Sequence, residues 1–155
     1  MKMLLPLDGS ESSLLAVRHA IRLVREGLDA SFVLANVQEP THLYELMMTR
    51  DAAVVEEASA AAGAHALQAG AALLAEAGIA CESEVATGDP SHMLVDILER
   101  YQCDAVIMSA RGAGTLRAAL MGSVSEALLH ASPVPVTIVK ADVVTEAPAS
   151  QDEDE

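Results

Sequence analysis

Two nearby segments carry residue types suited to holding a phosphate. Ser109-Ala-Arg111-Gly112-Ala-Gly114-Thr115 is followed by Met121-Gly122-Ser123-Val124-Ser125-Glu126. Glycine lets bare main chain approach an anion closely, because no Cβ intervenes. A helix opening at Gly122-Ser123 would add the first-turn amides of Ser123, Val124 and Ser125, at the positive end of the helix. The same Ser123 to Glu126 spacing fits a capping box. The two uses are compatible, since a helix start has several amides without intrahelical partners. Arg111 and Arg117 are the bases between Arg100 and Lys140; each is placed to reach either a phosphate or solvent. Asp8 ends an apolar run where an acid is unexpected. It reads either as a cap above the first helix or as a contact to a nucleotide hydroxyl or a phosphate-bound divalent cation such as Mg, because a bare carboxylate would repel phosphate.

These residues need a frame. Met3 to Leu7 reads as a strand ending at Asp8-Gly9-Ser10. Leu14, Val17, Ile21, Val24 and Leu28 then share one helical face, with Arg18, Arg22, Arg25 and Glu26 opposite and Gly27 as the stop. Ser31 to Val37 is nearly continuous in apolar residues, as a strand covered on both sides would be. Asp51 to Ala77 is Ala-rich and helical by propensity. Gly63 and Gly70 keep one face of that helix small and permit close packing. Ile79 to Thr87 alternates with acids, as an edge strand does. Asp89 and Pro90 form a helix start, N-cap then N1, and Leu94, Ile97, Leu98 and Tyr101 supply its buried face. Ala105 to Met108, Ser123 to His130 and Val134 to Val139 complete the alternation as strand, helix and strand. Pro135 lacks a ladder donor and marks the last strand as an edge.

The expected fold is α/β: a three-layer sandwich with a five-stranded parallel sheet and helices on both faces, built by right-handed crossovers. In such a sheet the ligand crevice lies beyond the carboxyl ends of the strands where chain order reverses. That brings Asp8-Gly9-Ser10 and Ser109 to Thr115 to one place.

Composition narrows the partners. The 155 residues carry a formal charge of −14. Six of the 23 acids (Asp142, Glu146, Asp152, Glu153, Asp154 and Glu155) lie in residues 141–155, which hold no base. That stretch reads as a disordered, solvated tail, leaving residues 1–140 as a single domain. An acidic surface with three aromatic residues disfavours nucleic acid and anionic lipid. No apolar run is long enough to insert in a membrane. The first residues lack a signal-peptide layout, and Cys81 and Cys103 form no metal-type spacing, so the expected location is cytoplasmic. His19, His42, His65, His92 and His130 never pair at i, i+4. His92, in the first turn of its helix, stands nearest the crevice. There is no GxSxG elbow and no Walker-type loop.

Ser109-x2-Gly112-x9-Gly122-Ser123, together with Pro6-Leu7-Asp8-Gly9-Ser10 and the Pro133-Val-Pro-Val-Thr-Ile-Val139 ending, resembles the universal stress protein family. Its nucleotide signature is Gly-x2-Gly-x9-Gly-Ser/Thr. The resemblance runs from Met3 to Lys140. It implies strand order 3-2-1-4-5, a homodimer, and ATP or AMP bound in the nucleotide-binding members, with Mg accompanying ATP. By position, it implies that Pro6, Leu7 and Asp8 lie near ribose and phosphates and that Val37 contacts adenine. Met108 and Ser109 would line the pocket, and Gly112, Gly122, Ser123, Val124 and Ser125 would hold phosphates. The first signature glycine is Ser109 here. Its Cβ and hydroxyl take up space, a left-handed backbone there would cost about 1 kcal/mol, and the hydroxyl could serve as a ligand donor.

The leading expectation is a cytoplasmic ATP/AMP-binding stress-response protein, dimeric through strand five (Val134 to Val139). It would signal through nucleotide occupancy rather than catalysis, since no general base or activated nucleophile is evident near the phosphates. Slow ATP hydrolysis or autophosphorylation at Ser123 or Ser125 is a weaker alternative. An interaction module that binds no nucleotide is another. A receiver-like phosphoacceptor, suggested by Asp89 and Lys140, lacks the acid pair expected after strand one.

Overall fold

The computed structural model describes residues 1–39, 52–110 and 122–141. Strands β1 (Lys2–Pro6), β2 (Ser31–Gln38), β3 (Cys81–Thr87), β4 (Ala105–Ser109) and β5 (Val136–Val139) alternate with helices α1 (Leu14–Arg25), α2 (Ala52–Glu76), α3 (Pro90–Arg100) and α4 (Ser123–Ala131). All strand pairs are parallel, and the sheet order is β3-β2-β1-β4-β5. This is the expected architecture, with β3 and β5 at the edges. The order reverses between β1 and β4, which open a crevice at their carboxyl ends.

Alternation along the strands divides the core into two layers. Met3, Leu5, Leu7, Phe32, Leu34 and Ile107 meet Leu14, Val17 and Ile21 of α1 and Leu67 and Leu74 of α2. Leu4, Val33, Ala35, Val106 and Met108 meet Leu94, Ile97 and Leu98 of α3 and Leu128 of α4. The arginines of α1 stand outside, as its period requires. Helix α2 has no apolar side chain at several inward positions. It approaches instead through Ser59, Gly63, Leu67, Gly70 and Leu74, all buried. A Cβ at Gly63 would lie 2.3 Å from Val85 Cγ1, and one at Gly70 would lie 2.5 Å from Leu7 Cδ1. Both glycines are therefore contact surfaces, as their spacing suggests.

Several boundaries differ from expectation by one or two residues, among them the start of β3 at Cys81 rather than Ile79, and one strand start and two caps bear on the site. Strand β5 starts at Val136 rather than Val134. The Ser132 hydroxyl donates to the Val134 carbonyl and accepts from its amide, holding a turn there, and Pro135 offers only its carbonyl, which accepts from the Val106 amide. Helix α4 is capped by Gly122, not Ser123, and makes no side-chain cap bond. The capping box is therefore absent, and Ser123 occupies the first helical position. Asp8 does not cap α1, whose N-cap is Ser13. By contrast, Asp89 caps α3 as its sequence predicts, accepting the His92 amide at 3.0 Å.

Candidate functional site

Three pieces of chain meet beyond the carboxyl ends of β1 and β4: the β1–α1 loop, the end of β4 and the first turn of α4. The end of β1 is fixed first. The Leu7 amide donates to the Ala35 carbonyl at 2.8 Å. The Leu7 carbonyl accepts Asn36 Nδ2 at 2.8 Å, and Asn36 Oδ1 accepts Gln38 Nε2 at 2.6 Å. Asn36 is buried at the side of β2 that faces α2. Sequence reading passed over it, although a lone Asn inside an apolar strand is a signal, because a buried amide side chain must find partners.

From there the chain turns at Gly9, whose φ of +87° is one that a side chain would strain. Asp8 is exposed, and its Oδ1 accepts both the amide and the hydroxyl of Ser10. Its Oδ2 takes no hydrogen bond among the described residues. Ser10 Oγ lies 3.1 Å from Ser12 Oγ and accepts the Ser13 amide at 3.2 Å. The Ser13 hydroxyl returns to the Ser10 carbonyl at 2.8 Å. Among the described residues, Asp8 therefore has one oxygen engaged and one without a hydrogen bond.

Ser109 ends β4 and is 6 % exposed. Its hydroxyl donates to the Ser12 carbonyl at 2.6 Å. Ile107 faces α1 and Met108 faces α3 and α4, so alternation turns Ser109 toward α1. Among the described non-glycine residues, Gln102 alone has a positive φ, so Ser109 carries no left-handed strain. The Ser109 carbonyl accepts the Ser125 hydroxyl at 2.9 Å. The next carbonyl, Ala110, accepts the Gly122 amide at 2.6 Å, and the Ala110 amide donates to Val139 at 3.0 Å.

These bonds sort the donors. The Gly122 amide and the Ser125 hydroxyl are engaged with the end of β4. Glu126 makes the first bond of α4, to the Gly122 carbonyl, so the amides of Ser123, Val124 and Ser125 begin the helix without intrahelical acceptors. The Ser123 side chain is exposed, Val124 is half-buried and Ser125 is buried. Pro6 and Val37 are half-buried at the ends of β1 and β2, and Val37 shares the α3/α4 layer with buried Met108. Arg111 and Gly112 lie outside the described residues, as do Gly114, Thr115, Arg117 and the tail from residue 142. His92 is exposed, and its amide is held by Asp89. Among the described residues, no three His, Cys, Asp or Glu side chains cluster as metal ligands would. No helix among them is long and apolar enough to cross a membrane.

The strands and their order are those of known proteins. Residues 1–140 match the universal stress protein family. The chain belongs to that family. A curated relative, universal stress protein MJ0531 of Methanocaldococcus jannaschii, is 29% identical over 139 residues, covering 90% of this chain and 81% of the relative. The fold is shared with hypothetical protein MJ0577, at a TM-score of 0.73 and 24% identity over 90% of this chain and 95% of that one. Three further family structures share it with a nucleotide named as bound. An Arabidopsis thaliana protein with AMP has a TM-score of 0.66 and 21% identity, covering 97% of each chain. An Archaeoglobus fulgidus protein in complex with dAMP has a TM-score of 0.63 and 16% identity, covering 90% of this chain and 98% of that one. A universal stress protein in complex with cAMP has a TM-score of 0.60 and 23% identity, covering 90% and 95%.

A second polar cluster runs from the amino ends of β1 and β4 along the edge strand β3 to Glu84, which lies in register with Ala35. Tyr101 donates its hydroxyl to Glu84 at 2.6 Å, and Arg100 bonds Glu84 at 2.8 Å and Asp96 at 3.0 Å. Lys2 and Arg100 lie 5.9 and 6.0 Å from the Tyr101 ring centroid. Lys2 also pairs with Glu82 at 3.4 Å, and its amide donates to Asp104 at 2.8 Å. The Tyr101 hydroxyl, and then Arg100, lower the Glu84 pKa below its ordinary value. The same Glu84 bond raises the pKa of Tyr101. Burial raises those of Cys81 and Cys103, so neither thiol is activated.

Proposed function

We propose that this universal stress protein binds an adenine nucleotide, AMP or ATP, beyond the carboxyl ends of β1 and β4, and that occupancy rather than turnover is its output. Ser123, Val124 and Ser125 offer main-chain amides to phosphate, with Gly112 and Arg111 on the connecting loop as further candidates. Val37 and Met108 supply the apolar wall for the base. Pro6, Leu7 and Asp8 border the ribose and phosphates, and the Asp8 oxygen left available suits a ribose hydroxyl or a Mg ion accompanying ATP. The observation that carries this reading is the Ser109 hydrogen bond to Ser12. It turns the serine that replaces the first signature glycine toward α1 and commits its hydroxyl to the β1–α1 loop. The AMP, dAMP and cAMP complexes of three family members support the adenine preference. The engaged hydroxyl of Ser125 argues against that residue as a phosphoacceptor. The protein is proposed to act in the cytoplasm as a homodimer through the edge strand β5.

Thermal unfolding of nucleotide-free protein with AMP, ATP–Mg and GTP tests the reading, alongside Gly122→Val. A ligand at about 100 times its Kd stabilises by roughly 2.7 kcal/mol, a rise of several degrees. The expected result is an adenine-selective rise in wild type that Gly122→Val abolishes. No rise at millimolar nucleotide would overturn the reading in favour of an interaction module that binds no nucleotide.

A further inference from the structure

We propose that Ser109 is a positioning residue that ties the two walls of the crevice together. This rests on the nucleotide reading above for its effect on ligand, though not for the tie itself. One wall is the β1–α1 loop with Asp8, and the other is the first turn of α4. Ser109, at the end of β4 between them, meets Ser12 across 97 residues of sequence. The Ser125 hydroxyl donates to the Ser109 carbonyl, and the Ser109 hydroxyl donates to the Ser12 carbonyl. A glycine at 109 keeps the first bond, which uses main chain, and loses the second. The family signature therefore contains half of this linkage, and the serine of this chain completes it.

The Ser12 carbonyl is also the acceptor of the Leu15 amide, at 3.2 Å, in the turn that opens α1. Two neighbouring bonds, Leu14 to Glu11 at 3.2 Å and Ala16 to Ser13 at 3.3 Å, are similarly long. The amide hydrogen bonds of Leu14, Leu15 and Ala16 are thus long, and the bond that Ser109 makes to the Ser12 carbonyl is a short tertiary one. Ser109 and Ser125 are 6 % and 3 % exposed, so water competes poorly for either bond. Each hydroxyl has one proton, and both protons are committed to carbonyls. Neither hydroxyl is left as a donor to phosphate, so their contribution to binding is to hold Asp8 and the α4 amides at a fixed spacing before the ligand arrives.

The test uses the full chain, nucleotide-free, with Ser109→Ala, which keeps the Cβ and removes the hydroxyl. Ser109→Gly runs beside it in case the alanine variant does not fold, and Ser109→Thr restores the hydroxyl. Hydrogen exchange is read at the Leu15 and Ala16 amides, with Ile97 and Leu98 of α3 as internal reference. AMP affinity is measured by titration well below the unfolding temperature. The expected result is about fivefold faster exchange at Leu15 and Ala16, no change at the reference amides, and AMP binding about fivefold weaker, with both effects reduced in Ser109→Thr. Unchanged or uniformly accelerated exchange would overturn the tie whether or not the protein binds nucleotide. Local acceleration with unaltered AMP affinity would overturn the positioning role. A wild type that binds no AMP would overturn the nucleotide reading, and with it that role, while exchange still decides the tie.

Discussion

The two ends of the sheet are held by opposite chemistry. From the amino ends of β1 and β4 up to the middle of edge strand β3, Lys2, Glu82, Glu84, Arg100 and Asp104 join separate elements through charges grouped around Tyr101. At the carboxyl ends, the bonds that join separate elements come from the neutral side chains of Asn36, Ser109 and Ser125. Of the carboxylates there, Asp8 and Asp89 accept local amides and hydroxyls, while Glu11, Glu39 and Glu126 are exposed. In a chain of net charge −14 the difference matters. An anion can be received only where donors outnumber bare carboxylates, and hydroxyls fix main chain without adding charge. The amino end is free to use ion pairs, which are individually weak when exposed, because no ligand is proposed there.

The largest expected effect strikes the carboxyl end through its support. In Gly63→Val the Cβ would stand 2.3 Å from Val85 Cγ1 and 3.2 Å from Asn36 Oδ1. The overpacking should cost roughly 3 kcal/mol, read as a fall in urea midpoint, with disturbance of the Asn36 bond that fixes Leu7. A neutral outcome would mean that α2 is not seated on the sheet through its glycines.

An intermediate effect belongs to the amino end. Glu84 is held charged by Tyr101 and Arg100, so its folded pKa lies below the ordinary 4.5. A depressed carboxylate contributes stability above its unfolded value and loses it as pH falls through the folded value. Glu84→Gln should cost about 1 kcal/mol at neutral pH, allowing for solvent screening. The gap to wild type should shrink as the pH falls below about 4.5, and AMP affinity should stay unchanged. Urea unfolding across the acid range checks this. A gap independent of pH would remove the charge from the explanation.

The smallest effect is at Lys2, whose pair with Glu82 is partly exposed. Lys2→Met should change stability by a few tenths of a kcal/mol at low salt and by less at high salt. A loss of 2 kcal/mol or more would show that the two cations over the Tyr101 ring act together.

Much of the frame was legible because it follows from periodicity. The apolar face of α1, the covered β2 and the Asp89–Pro90 start are local patterns, and so is the small face of α2 at Gly63 and Gly70. Parallel crossovers then brought Asp8 and Ser109 to one place. What was not legible depends on contacts between distant segments. Ser12 and Ser109 carry no sequence signal of their pairing, and a glycine signature broken by serine reads as an obstruction until the hydroxyl is seen directed at α1. The capping box failed because Gly122, bonded to Ala110, takes the cap position and leaves Ser123 as the first helical residue. The start of β5 moved because the Ser132–Val134 turn and Pro135 remove the ladder donors that two further strand residues would need.

The central claim, that the hydroxyl-tied end receives a nucleotide and the charged end does not, is tested most directly by an amide NMR titration of nucleotide-free protein with AMP. The account predicts saturable shifts at the amides of Asp8, Val37, Ser109 and Ser123 to Ser125, with Glu82, Tyr101 and Asp104 unmoved. Shifts centred on the amino end, or none at millimolar AMP, would contradict it.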